Sequence, residues 1–226
     1  MKHLKDIVVE SFFDVEPDDS KQFEKGIKDE IKQFLGDTYG GASKCKISKK
    51  PNEDGKYVVD CRGDLSTKNA EILSLTNGNF VFGEVRGDFR CYYCRDLTSL
   101  EGSPEKVGMN FSCEACNSLT SLKGAPKEVG GRFDCSYCNA LISLEGVPKE
   151  VGGSFDCSYC NALISLEGAP KEVGGRFDCR GCQSLTSLKG APKKVNRNFD
   201  CRNAGQKFDE KEIQKHVSYI GGKIFA

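Results

Sequence analysis

The 226-residue sequence has no tryptophan, two histidines and two methionines. The histidines, His3 and His216, stand near opposite ends. A Cys-His or Ser-His catalytic pair along the chain would therefore need an end to fold back onto it. No P-loop, dinucleotide glycine motif, nucleophile elbow or histidine metal motif occurs. An excess of one charge is lacking too: 33 basic and 33 acidic side chains cancel. That removes the overall electrostatic reason to expect nucleic acid or an anionic membrane as partner. No apolar run approaches the roughly 20 residues that cross a bilayer. Near the start, Ile7-Val8-Val9 runs into Glu10, too short a stretch for a signal sequence. The expectation is a soluble, cytoplasmic protein that is not an enzyme, carries no cofactor, and contacts neither nucleic acid nor membrane.

Cysteine, by contrast, is abundant. Thirteen would suit a disulfide scaffold in a small secreted chain, but the number is odd, the chain is long, and no export signal is visible. Reduced thiols are expected.

The arrangement of those cysteines sets the architecture. Phe89, Phe111, Phe133, Phe155, Phe177 and Phe199 recur every 22 residues, each followed two positions later by Cys91, Cys113, Cys135, Cys157, Cys179 or Cys201. Five units add a second cysteine, at Cys94, Cys116, Cys138, Cys160 and Cys182. The rest of the unit is as regular, as in Leu141, Leu144, Gly146, Pro148 and Val151, so one repeat reads F-x-C-x-x-C-x-x-L-x-S-L-x-G-x-P-x-x-V. Phe-x-Cys alternates like a strand. Gly102, Gly124, Gly146, Gly168 and Gly190 are expected at positive φ, with the prolines directing the return leg. A unit this short cannot bury its apolar side chains alone, so neighbouring units must stack into a solenoid.

Over residues 63 to 203 this pattern resembles a leucine-rich repeat, with Phe and Cys at its second and third apolar positions and the second Cys where Asn usually stands. The leucine ending the strand segment is displaced by one residue. The phrase C-x-x-L-x-S-L-E/K-G-x-P-x-x-V-G-G is similar to repeats of tailed, crAss-like phage proteins and of their bacterial hosts. The resemblance implies an α/β leucine-rich-repeat-type solenoid with one parallel sheet of short strands, and a phage protein acting on a host or virion component.

The ends are expected to cap the array. Residues 63–86 read as a degenerate first coil, with Leu65 in the Phe position, followed by Ile72, Leu75 and Val85. Five repeats start at residue 87, and residues 197–203 hold the last strand. Residues 204–226 close the array with a helix from Phe208 to Val217 and an apolar tail from Tyr219 to Phe225. Residues 1–62 form a small α+β region. Phe23, Ile27, Ile31 and Phe34 mark an amphipathic helix entered through Asp18, Asp19 or Ser20, and Cys45-Lys46-Ile47 with Tyr57-Val58-Val59 form a hairpin. Met1 to Phe13 suits a short amphipathic helix, either a docking helix or, by its resemblance to capsid-targeting peptides of T-even-type phages, a segment cleaved after Glu10.

Paired C-x-x-C motifs can chelate zinc, and Cys91, Cys94, Cys113 and Cys116 are the candidate set. That would give a virion-packaged or structural protein held by thiolate-bound zinc. The preferred reading is core with no metal, the zinc set being the alternative, since both cysteines fall in the apolar register and no turn glycine recurs between them. A cysteine-dependent enzyme is the third reading. If Phe and Cys face inward, Arg90, Ser112, Asp134, Asp156, Asp178 and Asp200 form an outward stripe, flanked by Arg132, Arg176, Arg180 and Arg202, with Tyr93, Tyr137 and Tyr159 near the strand ends. Arginine and tyrosine supply anchors for a protein while aspartate rejects polyanions. The sequence therefore points to a protein-binding strand face.

Overall fold

Every 22 residues the Phe-x-Cys step places one phenyl ring and one thiol on the same side of an extended backbone, and the computed structural model stacks these steps in register. It describes residues 17–67 and 71–226. The chain is a β-solenoid of about eight turns. Phe133 pairs with Phe155 and Asp134 with Asp156, and the same register repeats from Leu65 through Phe199 to Ile224. Phe133 N–H donates to the Ser154 carbonyl at 2.9 Å and Cys135 N–H to the Asp156 carbonyl at 2.8 Å. Each turn thus supplies the backbone partners its neighbour needs.

Two sheets result where one was expected. The first, here the Phe sheet, has nine strands, from Tyr39–Gly40 through the Phe steps to Ile224–Phe225. The second, the Val sheet, also has nine, running from Cys45–Ile47 and Tyr57–Cys61 through Phe80–Val85 and the Lys/Glu-Val steps to Tyr219–Ile220. Both are parallel except at their amino-terminal edges, where Tyr39–Gly40 and Cys45–Ile47 pair antiparallel. The return leg becomes a ladder because a β-branched valine recurs in strict register and favours extended backbone. A two-residue step carries too little alternation to reveal that locally.

The core lies between the sheets as columns of identical side chains. All six repeat phenylalanines are fully buried, as are the leucines of the Leu141 and Leu144 columns to within 1%. Phe155 and Phe177 stack at 5.5 Å with an interplanar angle of 9°. Between core and surface runs the turn glycine. Gly146 has φ +110°, and a Cβ there would strike the Leu122 backbone of the turn before.

Both ends of the core are covered. Helix α1, Pro17–Thr38, lays Ile31 and Leu35 on the first coil. Its first described residue is Pro17, so the expected cap positions Asp18, Asp19 and Ser20 lie within the helix. Beyond it, Tyr39 is buried and donates its hydroxyl to the Leu75 carbonyl at 2.7 Å. The hairpin forms as expected, and its register sets Cys45 opposite Cys61, which are joined by a disulfide. This corrects the expectation of reduced thiols for two cysteines; the other eleven are free and buried. The Val sheet also runs without a break across residue 62, since Tyr57–Cys61 pairs parallel with Phe80–Val85. At the far end, helix α2, Glu210–His216, is capped by Asp209, which accepts from Glu212 N–H at 2.8 Å. Phe208, Ile213 and Val217 seal the last turn. The expected helix over Met1 to Phe13, and the Glu10 cleavage point within it, lie outside the described residues.

Candidate functional site

The aspartate stripe forms in the expected register but does not face solvent. Asp134 and Asp156 are 9% exposed, Asp178 3% and Asp200 0%. The reason is an ion-pair lattice that alternates every second turn. Arg132 bridges Asp134 at 2.8 Å and Asp156 at 2.6 Å. Arg176 bridges Asp178 at 2.8 Å and Asp200 at 2.5 Å. Arg180 reaches Asp178 at 3.5 Å and Arg202 reaches Asp200 at 2.7 Å. Each carboxylate also accepts from the backbone two residues on, as Asp134 does from Ser136 N–H at 3.0 Å and Asp200 from Arg202 N–H at 3.2 Å. Ser136 and Ser158 hydroxyls complete the shell of Asp134 and Asp156 at 2.7 and 2.6 Å. On the first rungs Arg90 pairs instead with Asp88 and, at 3.8 Å, with Asp64.

Partners decide how these carboxyls titrate. Burial, then the neighbouring Asp156 charge, pushes Asp178 up to about 6, against the pull of Arg176 and Arg180. Burial also acts on Asp200, but the hydrogen bonds and charge of Arg202, with Arg176 behind it, outweigh it and hold that carboxyl below the usual range. The lattice is therefore a structural seam, and what it offers a partner is the outer edge of half-exposed guanidinium groups.

The thiol columns hydrogen-bond to the backbone. Cys116 Sγ donates to the Cys91 carbonyl at 2.9 Å, and Cys138, Cys160 and Cys182 repeat that contact one turn on, at 3.2, 3.1 and 3.1 Å. Cys91 donates to the Ser112 carbonyl at 3.4 Å, and Cys94 lies 3.4 Å from the Thr67 hydroxyl. The candidate zinc set of Cys91, Cys94, Cys113 and Cys116 is thus spread through these columns. Among the described residues no group of three or more His, Cys, Asp or Glu side chains is placed to hold a metal ion. Burial pushes the Cys135 and Cys179 thiols far above their ordinary value and Cys201 up to about 12, which disfavours the thiolate at these three, whereas the hydrogen bond with Cys157 lowers Cys182 against its burial.

The tyrosines stand apart from this buried chemistry. Tyr93 is 51% and Tyr137 46% exposed, with Tyr159 half-buried. All three adopt left-handed backbone, φ 59°, 59° and 58°, as do Ala115, Gly181 and Asn203 in the same column. Left-handed backbone costs a residue with a Cβ roughly 1–2 kcal/mol. Their amides remain paired from turn to turn: Tyr137 N–H donates to the Ser158 carbonyl at 2.9 Å. Tyr137 and Tyr159 stack at 4.8 Å and 9°. The ring of Tyr159 then covers Gly181, where an added Cβ would lie 2.5 Å from its Cδ1 and Cε1.

The sequence placed these tyrosines near the surface but missed the backbone that holds them. Gly181 and Asn203, the two residues of the column that favour left-handed backbone, were the available signal. Two concavities were missed as well. One, of about 400 Å³, opens in the tyrosine column at Ala115. The other, of about 850 Å³, runs along the outside of the Val sheet past Lys106, Glu128, Gly130, Pro148 and Val151. No protein-family model, curated protein or solved structure matches this chain. Among the described residues no helix is long and apolar enough to cross a membrane.

Proposed function

We propose that the chain is a non-enzymatic module that binds a protein partner along the strand edge of the Phe sheet, through the tyrosine column and the outer edges of Arg132, Arg176, Arg180 and Arg202. The observation carrying this reading is the tyrosine column itself. Three large aromatics are held on unfavourable left-handed backbone, and two of them, Tyr93 and Tyr137, stay about half exposed although each packs one side against a neighbouring tyrosine ring. Tyrosine and arginine are the side chains that most often anchor protein interfaces. The neutral formal charge and the aspartates beneath favour a protein over a polyanion or a membrane.

The finer parts of the reading belong to the same proposal. The unit is a leucine-rich-repeat variant in which the second cysteine takes over the backbone-bonding duty of the usual asparagine, supported by the Cys116-to-Cys91 type of contact. The resemblance of its repeat phrase to phage repeats supports a phage protein that works in the bacterial host cytoplasm or on the virion.

The test is capture of partners from bacterial lysate by the tagged protein and by a Tyr137→Asn/Tyr159→Asn variant, read by mass spectrometry. Asparagine already occupies this column at Asn203 with φ 56°, so the variant is expected to keep its fold. The expected result is a partner held by the parent and lost by the folded variant; equal capture by both would overturn the assignment of the face.

A further inference from the structure

The turn at Phe111 departs from the surface pattern of the two turns that follow it without disturbing the core. Where the turns at Phe133 and Phe155 both read Phe-Asp-Cys-Ser-Tyr-Cys, the turn at Phe111 reads Phe-Ser-Cys-Glu-Ala-Cys. The buried Phe and Cys positions are unchanged. The three positions between and beside them change together: aspartate gives way to Ser112, serine to Glu114 and tyrosine to Ala115.

Removing one ring from a stacked column leaves a slot. Tyr93 stands one turn before Ala115 and Tyr137 one turn after, and both line the cavity of about 400 Å³ together with Glu114, Asn117 and Asn139. Strands in a sheet lie about 4.8 Å apart, so positions two rungs apart are separated by roughly 9.6 Å. A flat group midway would sit about 4.8 Å from each, inside the range of about 6 Å over which a ring face attracts a cation. Tyr92 packs edge-on against Tyr93 at 5.7 Å and braces the outer wall.

The floor selects the charge. Glu114 is half-buried, and its carboxylate makes no hydrogen bond or ion pair among the described residues. Arg132, whose charge acts on Glu114, is already shared between Asp134 and Asp156. Burial, then the Asp134 charge, raises the Glu114 carboxyl against the pull of Arg132, with Asp156 adding to the rise. Asn117 Oδ1 is occupied by the Asn139 backbone and side-chain amides, each at 3.3 Å, so Glu114 is the acceptor left in the slot.

We propose that the gap at Ala115 is a binding slot for an arginine side chain of the partner protein, its guanidinium sandwiched between Tyr93 and Tyr137 and hydrogen-bonded to Glu114. A guanidinium is flat enough to stack on aromatic faces, always charged, and shaped to pair with a carboxylate. Ammonium groups match the charge but not the stacking, and neutral rings match the stacking but not Glu114. This deepens the binding-face reading above and rests on it.

The experiment uses Nα-acetylarginine N-methylamide as probe on the full chain. Binding is read by saturation transfer to the probe and, in the parent protein, by the ¹³C shift of the Ala115 methyl. The arginine probe is expected to saturate that shift and to bind roughly tenfold tighter than the matching lysine compound or p-cresol. Ala115→Tyr restores the ring found at Tyr93, Tyr137 and Tyr159, so it is expected to fold with an unchanged or raised Tm and to lose the probe. Glu114→Gln is expected to weaken it by about tenfold.

Absence of probe binding, equal binding of lysine or p-cresol, or full binding by folded Ala115→Tyr would each overturn the slot. None of these bears on partner capture. Conversely, if the probe binds as expected while capture is unaffected by the Tyr137 and Tyr159 changes, it is the wider face that is misassigned.

Discussion

A carboxylate taken out of water must be paired, and the four aspartates of the repeat show how differently that can be met within one column. Arg176 serves both Asp178 and Asp200, but Asp200 also has Arg202 at 2.7 Å, while Asp178 has Arg180 only at 3.5 Å and lies beside Asp156. The consequences for stability have opposite sign. With its folded pKa near 6, above the ordinary 3.8, Asp178 binds its proton more tightly folded than unfolded. Its contribution is therefore most favourable below about 3.8, declines as pH rises to 6, and stays at its minimum above that. Urea melts of the parent and of Asp178→Asn are expected to converge on a constant difference above pH 7, with the parent gaining relative stability on acidification to pH 5. Asp200, held low, contributes stability above the ordinary carboxylate pKa that is lost as pH falls through its own. A thiol experiment belongs at the same scale. Intact mass after iodoacetamide should show no labelling of the eleven buried free cysteines in the native protein and eleven adducts in denaturant. All thirteen should react only once the Cys45–Cys61 disulfide is reduced. Labelling of the native columns would contradict their burial.

At the scale of the element, each turn is too small to stand alone and is stable only because the next covers it. Its Phe, two Leu and Val each contribute about 1.5–3 kcal/mol when fully buried, but only if both faces of the turn are occupied. The caps are therefore as necessary as the repeats. Helix α2 and the final strands cover Phe199, which would otherwise end the stack of rings. Deleting residues 204–226 is expected to leave a chain that associates through the exposed Phe199 end, seen as concentration-dependent oligomers in sedimentation. A truncated chain that stays monomeric with the parent's Tm would show the cap to be dispensable. The amino-terminal end is closed by α1, by the antiparallel edge pairs and by the disulfide. Its loop of about 16 residues is worth roughly 3 kcal/mol in restricting the unfolded chain.

For the whole molecule, the solenoid turns local repetition into long continuous features. One column becomes a stack of phenyl rings, another an ion-pair seam, a third a row of tyrosines. Because each turn contacts only its neighbours, a change on one turn stays on that turn. That is why the Ser112, Glu114 and Ala115 changes open a slot without loosening Phe111, which remains fully buried between Phe89 and Phe133. The strand edge is thus a patterned strip, interrupted between Tyr93 and Tyr137 and again at Gly181 and Asn203.

The period of Phe, Cys, Leu, Gly, Pro and Val by itself determined the solenoid, the buried columns and the glycine turns at positive φ. Each of these follows from identical residues returning to identical places. The chain of residues did not reveal the Val sheet, because two residues are too few to alternate. Nor did it reveal that Asp134, Asp156, Asp178 and Asp200 turn under their arginines, because a side chain's burial depends on what the adjacent turn lays across it. Tyr93, Tyr137 and Tyr159 were legible as surface residues, but their left-handed backbone and the gap at Ala115 exist only once turns are stacked. Periodicity dictates what returns at each rung, and the packing of one rung on the next decides which groups water can reach.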